Sequence, residues 1–361
     1  MSAATEPHLS LPLRLARQAI HRLARLPRPV LERLARHAPV NSDGERLAPE
    51  IALGLAALNR LDSGNTAQGE RSVEQVRRGL LDEALLFSDT FPAFAVEEDL
   101  ELPAPHGSVP VTRYRYRAAS ASEGPRGLMV YLHGGGWVAG DRASTDSVAR
   151  FLAVHSGVDV VSVDYRLAPE HPFPAALEDV LAVWDAVIER APGWGVDPQR
   201  LVVGGDSAGG NLSAVLALEL ARAQHPVQPR LQVLLCPVTD LSRTAHSYRE
   251  FAEGYFLTED RMDWYRGHYL TDPAQAQDPR VSPLLAPDLS GVAPAYVAVG
   301  GFDVLRDEGV AYAERLQQAG VPTVLARHGD LIHAFVNITA VSPSARQASL
   351  QAAEAIAASI R

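Results

Sequence analysis

Gly205-Asp206-Ser207-Ala208-Gly209 follows the apolar run Leu201-Val202-Val203 and precedes a stretch, Asn211 to Arg222, that contains neither Pro nor Gly. A serine in Gly-x-Ser-x-Gly between a strand and a helix sits on a sharp, strained turn, and the flanking glycines leave room that a Cβ would fill. The turn lifts the hydroxyl clear of the sheet. It also aims the backbone N–H groups at the helix N-terminus, Ala208 N–H first, toward a developing oxyanion.

Outward from the pentapeptide, apolar runs alternate with helical patterns. Gly127–Leu132, Val158–Val163, Leu201–Val203, Leu231–Leu235 and Tyr296–Val299 are near-continuous apolar strands, preceded by strands at Phe94–Leu102 and Val109–Arg117 and followed by one at Thr323–Arg327. Such alternation predicts a mostly parallel central sheet covered by helices on both faces. Helical patterns fill Leu47–Arg60, Val73–Leu86 and Ser344–Ile360. The interval between Pro237 and Pro294 has no clean strand, and Tyr248–Leu270 reads as an insertion whose helix is capped by Thr258.

The chemistry falls at strand ends. His133-Gly134-Gly135-Gly136-Trp137 follows the first core strand, and three consecutive glycines can turn sharply and present unobstructed N–H groups beside the elbow. A nucleophilic serine needs a base, and the base an orienting acid, in the chain order Ser, Asp or Glu, His. Asp303 follows Tyr296–Val299 across Gly300-Gly301-Phe302, and His333 follows Thr323–Arg327 across a short loop. Of their neighbours, Asp307 and Glu308 fall where a helix has begun, and His328 sits at the strand end with too little loop to swing over the elbow. Asp206 is expected to orient the elbow, with His133 and Gly134 supporting the glycine loop. Asp164, Arg166, Glu170 and Asp179 read as braces beside that loop. Trp137, Phe173 and, within the insertion, Tyr255 are candidate pocket residues, although aromatic side chains also simply fill space.

Taken together, HGGGW at 133–137, DYRLAPEHPFPAALED at 164–179, GDSAGGN at 205–211, SPLLAPDLSGVAP at 282–294, GFDVLRDEGVAYAERLQQAG at 301–320 and LIHAF at 331–335 resemble the bacterial esterases of the hormone-sensitive lipase family, on the α/β-hydrolase fold. The resemblance implies Ser207, Asp303 and His333 as the catalytic triad and the N–H groups of Gly135, Gly136 and Ala208 as the oxyanion hole. It also implies a helical cap. The expected division is a basic extension at 1–39, cap helices at 40–92, core at 93–242, cap insertion at 243–280 and core at 281–361. Ala334 stands where the family usually has Gly, and Val304 where Pro often follows the Asp. The implied function is a carboxylesterase acting on short- to medium-chain acyl esters through an acyl-enzyme. A membrane-associated lipase, an amidase or a deacetylase would use the same triad. A ligand receptor with a decayed triad is disfavoured, because all three positions carry competent side chains.

Composition narrows the field. All 33 basic residues are Arg, which excludes a Walker A loop, a pyridoxal Schiff base and any lysine nucleophile. The net charge of −10 argues against general nucleic-acid binding. Cys236, alone of its kind, reads as a core thiol, and no metal or cofactor is expected, because no His and carboxylate cluster has ligand spacing. Residues 1–39 hold seven Arg against Glu6 and Glu32, whereas the remainder has 26 Arg against 41 acids. Leu13–Leu26 forms an amphipathic helix ended by Pro27 and Pro29, with a second, short helix at Val30–Ala38. It is too interrupted by Arg for a signal or a span. Two readings stand: peripheral contact with an anionic membrane through residues 13–38, or docking on the acidic body. The expected location is cytoplasmic, with or without that membrane contact. The partner is a small ester, and an exposed edge strand at Thr323–Arg327 offers a route to a homodimer.

Overall fold

The computed structural model describes residues 10–62, 72–117 and 126–361. Eight strands form one sheet: β1 (Val96–Ala104), β2 (Gly107–Arg115), β3 (Arg126–Leu132), β4 (Asp159–Val163), β5 (Val196–Asp206), β6 (Gln232–Leu235), β7 (Ala295–Phe302) and β8 (Thr323–Ile332). Their order is β1-β2-β4-β3-β5-β6-β7-β8. β1 and β2 are antiparallel to their neighbours, and β3 to β8 run parallel to one another. Every residue of β4, β6 and β7 is buried, as expected of parallel strands covered on both faces. All eight predicted strands are present.

The coverings are α5 (Asp146–Ser156), which packs on α11 (Pro343–Ser359), and α6 (Ala175–Arg190), which packs on α7 (Ala208–Arg222). α10 (Arg306–Gln318) lies on β7 and β8. Before the sheet come α1 (Leu11–Ala24), α2 (Arg28–Leu34), α3 (Pro49–Asp62) and α4 (Val73–Phe87). Between β6 and β7 lie α8 (His246–Glu250) and α9 (Glu259–Tyr269). Thr258 caps α9, its hydroxyl accepting the Arg261 N–H at 3.2 Å, as the sequence predicts. α8, five residues long, has too few turns to show a period. No helix among the described residues is long and apolar enough to cross a membrane. β8 closes one edge of the sheet, with Val324 exposed.

Candidate active site

β5 runs into the elbow, ending at Asp206, and α7 begins at Ala208. Ser207 between them has φ 53° and ψ −116°, a conformation an L-residue holds only when its surroundings impose it. Its N–H donates to the Leu235 carbonyl at 2.9 Å, and its own carbonyl accepts the N–H of Asn211 at 3.0 Å and of Val238 at 3.3 Å. A Cβ at Gly209 would strike the Leu132 carbonyl. The start of α7 therefore approaches the end of β3 closely only because that position is glycine. The side chain so displayed sits at the positive end of a 15-residue helix.

Asp206 joins this elbow to the glycine loop. One carboxylate oxygen accepts the Gly134 N–H at 3.0 Å and the Tyr131 hydroxyl at 2.5 Å. Gly136 has φ 62°, a left-handed conformation that glycine adopts without cost. Among the described hydrogen bonds, none takes up the N–H of Gly135 or Gly136. His133 anchors the start of the loop, its ring stacked on Tyr165 at 4.2 Å while the Tyr165 hydroxyl donates to the His133 carbonyl at 2.7 Å. The charged residues of 164–179 pair with partners outside their own cluster as well as within it. Asp164 accepts from Arg142 at 2.6 Å, Arg166 donates to Asp179 at 2.9 Å, and Glu170 accepts from Arg77 at 2.7 Å. The Ala168 N–H holds the Trp137 carbonyl at 2.8 Å.

Asp303 and His333 stand where β7 and β8 stop. The short loop expected between Arg327 and His333 is strand instead: β8 continues to Ile332, pairing with Phe302 beyond an irregularity at Gly300 to Phe302. Asp303 and His333 are thus each the first residue past a paired strand end. His333 Nδ1 lies 2.8 Å from Asp303 Oδ2, and both side chains are buried. A carboxylate can only accept, so Nδ1 carries the proton and Nε2 is left basic. The Leu305 N–H fixes the other Asp303 oxygen at 2.9 Å. His328 is not at the strand end but within β8, its ring edge-on to Phe335 and its pKa pushed down by burial. Asp307 accepts the Ser247 N–H and Glu308 the Thr239 N–H, so both are engaged away from His333.

Two residues that the sequence singles out meet at this corner. Ala334 takes the left-handed conformation, φ 57° and ψ 30°, so the alanine does occupy a position that favours glycine. Cys236 is buried as expected, but against the acid and base. Its sulfur, a carboxylate oxygen of Asp303 and a ring nitrogen of His333 lie within 4.8 Å of one another. Burial, and after it the neighbouring Asp303 carboxylate, pushes the thiol pKa well up. It is therefore a protonated thiol. Among the described residues these three are the one group with metal-ligand spacing, and two of them already share a hydrogen bond.

Helices outside the sheet close over the glycine loop. Arg77 of α4 donates to the Val138 carbonyl at 2.8 Å and the Ala168 carbonyl at 3.1 Å, besides Glu170. Tyr265 of α9 lies directly on Gly136, where a Cβ would meet its ring. Of the three expected pocket aromatics, Trp137 is fully buried and stacked on Tyr269 at 4.2 Å, a packing role. Phe173 stands edge-on to the same Tyr269, and Tyr255 packs between Phe251 and Phe302. Tyr265 and Tyr269 give only an i,i+4 apolar pair in sequence, which ordinary core helices share.

A family model described as alpha/beta hydrolase fold matches residues 129–337. The carboxylic ester hydrolase LipN of Mycobacterium tuberculosis is 46% identical over 245 residues, covering 66% of this chain and 64% of LipN, so the chain spans just under two thirds of that relative. The ethyl acetate hydrolase of Pseudomonas putida is 40% identical over 259 residues, covering 72% of this chain and 81% of that enzyme. Among solved structures, the metagenomic thermostable carboxylesterase EstE1 is 37% identical with a TM-score of 0.76, covering 81% of this chain and 98% of its own. The ester hydrolase EH1AB1 from the Lake Arreo metagenome, solved with a bipyridine phosphonate derivative, is 36% identical with a TM-score of 0.81, covering 86% and 98%.

Proposed function

This chain belongs to the α/β-hydrolase family, in the hormone-sensitive-lipase-like group of bacterial esterases, and from that premise we propose that it is a serine carboxylesterase for short- to medium-chain acyl esters. The observation that carries the reading is the 2.8 Å contact between His333 Nδ1 and Asp303 Oδ2, at the same C-terminal end of the parallel strands as the strained Ser207. In the proposed reaction His333 Nε2 takes the Ser207 proton as Oγ attacks the ester carbonyl. Asp303 holds the ring and stabilises the imidazolium. The N–H groups of Gly135, Gly136 and Ala208 receive the oxyanion, each such donor being worth about 10²–10³ in rate. His333 returns its proton to the leaving alcohol, and water activated by the same ring frees the acid.

We read α3, α4 and residues 243–280 as a cap over this site. Tyr265, resting on Gly136, limits the room beside the oxyanion loop, which supports short acyl groups. The relative named for ethyl acetate supports the same size class. A panel of p-nitrophenyl esters from acetate to laurate tests this: turnover is expected to fall at least about tenfold from butyrate to laurate. Ser207→Ala is expected to abolish turnover of every ester with circular dichroism unchanged. Turnover retained in that variant would remove the serine mechanism.

A further inference from the structure

α1 is docked by a mixed face, on which Leu13, Arg17, Ile20, His21 and Ala24 are half-buried. Arg17 donates to the Leu85 carbonyl and the Ser88 hydroxyl at 2.5 Å and to the Ser88 carbonyl at 2.9 Å, and His21 Nε2 lies 3.2 Å from the Leu86 carbonyl. These are the terminal carbonyls of α4, where the helix dipole favours a cation. Of the two readings left by the sequence, docking on the body is therefore present, but at a helix end rather than on acidic side chains. Its consequence is unusual. With Arg17 and His21 turned inward, Leu11 and Leu15 face water, 65% and 58% exposed. α2 repeats the pattern, with Val30 and Leu34 42% and 56% exposed. Both pairs are spaced i,i+4, so each helix shows an outward apolar row.

Exposed cations accompany these rows. Arg14, Arg22 and Arg25 are exposed on or beside α1, and Arg33 on α2. Between residues 10 and 38 the chain has seven Arg against Glu32 alone, within a protein whose net charge is −10. We infer that residues 11–36 bind an anionic lipid bilayer, with Leu11, Leu15, Val30 and Leu34 entering the headgroup boundary and the arginines pairing with lipid phosphates. Charge selects this occupant. A second copy placed face to face would set one arginine-rich segment against another. An anionic surface attracts this end and repels the acidic remainder, which orients the molecule. The inference rests on no catalytic residue.

The test is co-sedimentation of the full chain with phosphatidylcholine vesicles containing about 30 mol% phosphatidylglycerol, against pure phosphatidylcholine, at low and high salt. Binding at least about tenfold tighter to the anionic vesicles, weakened by salt, is expected. Leu11→Ser with Leu15→Ser should lose at least about tenfold of that binding, and Arg14→Glu with Arg22→Glu should abolish it. Both variants should hydrolyse a soluble nitrophenyl ester as the parent does. No binding to anionic vesicles, equal binding of the leucine variant, or a dimer in light scattering that the leucine variant dissolves would each overturn the inference.

Discussion

At the residue scale, the sulfur of Cys236 ties together three strand ends. It sits just past β6, within 4.8 Å of a carboxylate oxygen of Asp303 just past β7 and of a ring nitrogen of His333 just past β8. A protonated thiol beside a buried carboxylate is a donor within its reach, and losing such a donor leaves the carboxylate less well held. Cys236→Ala is therefore expected to lower kcat about three- to tenfold with KM little changed, and Cys236→Ser, which keeps a donor, to recover most of the loss. Equal kcat in all three proteins would reduce Cys236 to packing. Nothing in the run Leu231–Val238 announces this contact, because Asp303 is far away in sequence and the thiol reaches it only through the order of the strands. Ser207 is the opposite case. Its strain, its glycine neighbours and its place between strand and helix were all local, and local chemistry is what a sequence displays.

At the element scale, the core strands were legible because a parallel strand buried on both faces must be apolar at every position. The reach of β7 and β8 was not, since Gly300-Gly301 and Gly329-Asp330 look like loop while lying within the strands at an irregular register. The approach of α4 to the glycine loop was equally hidden, because Arg77 and the carbonyls it holds are some sixty to ninety positions apart. That contact is testable. Arg77→Met keeps the stem but drops the hydrogen bonds to Val138, Ala168 and Glu170. It is expected to lower the melting temperature by about 2–4 °C and kcat/KM about three- to tenfold, as the loop carrying Gly135 and Gly136 loosens. An unchanged kcat/KM would show that the loop is held without α4.

At the scale of the whole molecule, one buried acid links α10 to the segment that follows β6. Glu308 accepts the N–H groups of Thr239 at 2.7 Å and Asp240 at 3.3 Å, and burial pushes its carboxyl from 4.5 up to about 8. The folded state therefore holds a proton that the unfolded chain has released at any pH between those values. Stability from this group is full below about 4.5 and declines as pH rises to about 8. Glu308→Gln, which cannot ionise, is expected to gain about 2–4 kcal/mol relative to the parent between pH 5 and pH 8. Urea unfolding of both proteins at the two pH values measures this, and parallel pH profiles would contradict it.

The proposed acyl transfer stands or falls with the Ser207 hydroxyl as its nucleophile. The most direct measurement is intact-mass spectrometry after brief exposure to a fluorophosphonate, followed by peptide mapping, with His333→Ala as the comparison. A single adduct on Ser207, formed stoichiometrically by the parent and slowly or not at all by His333→Ala, is the result predicted. An unlabelled Ser207 in an ester-hydrolysing preparation, or an adduct on another residue, would contradict it.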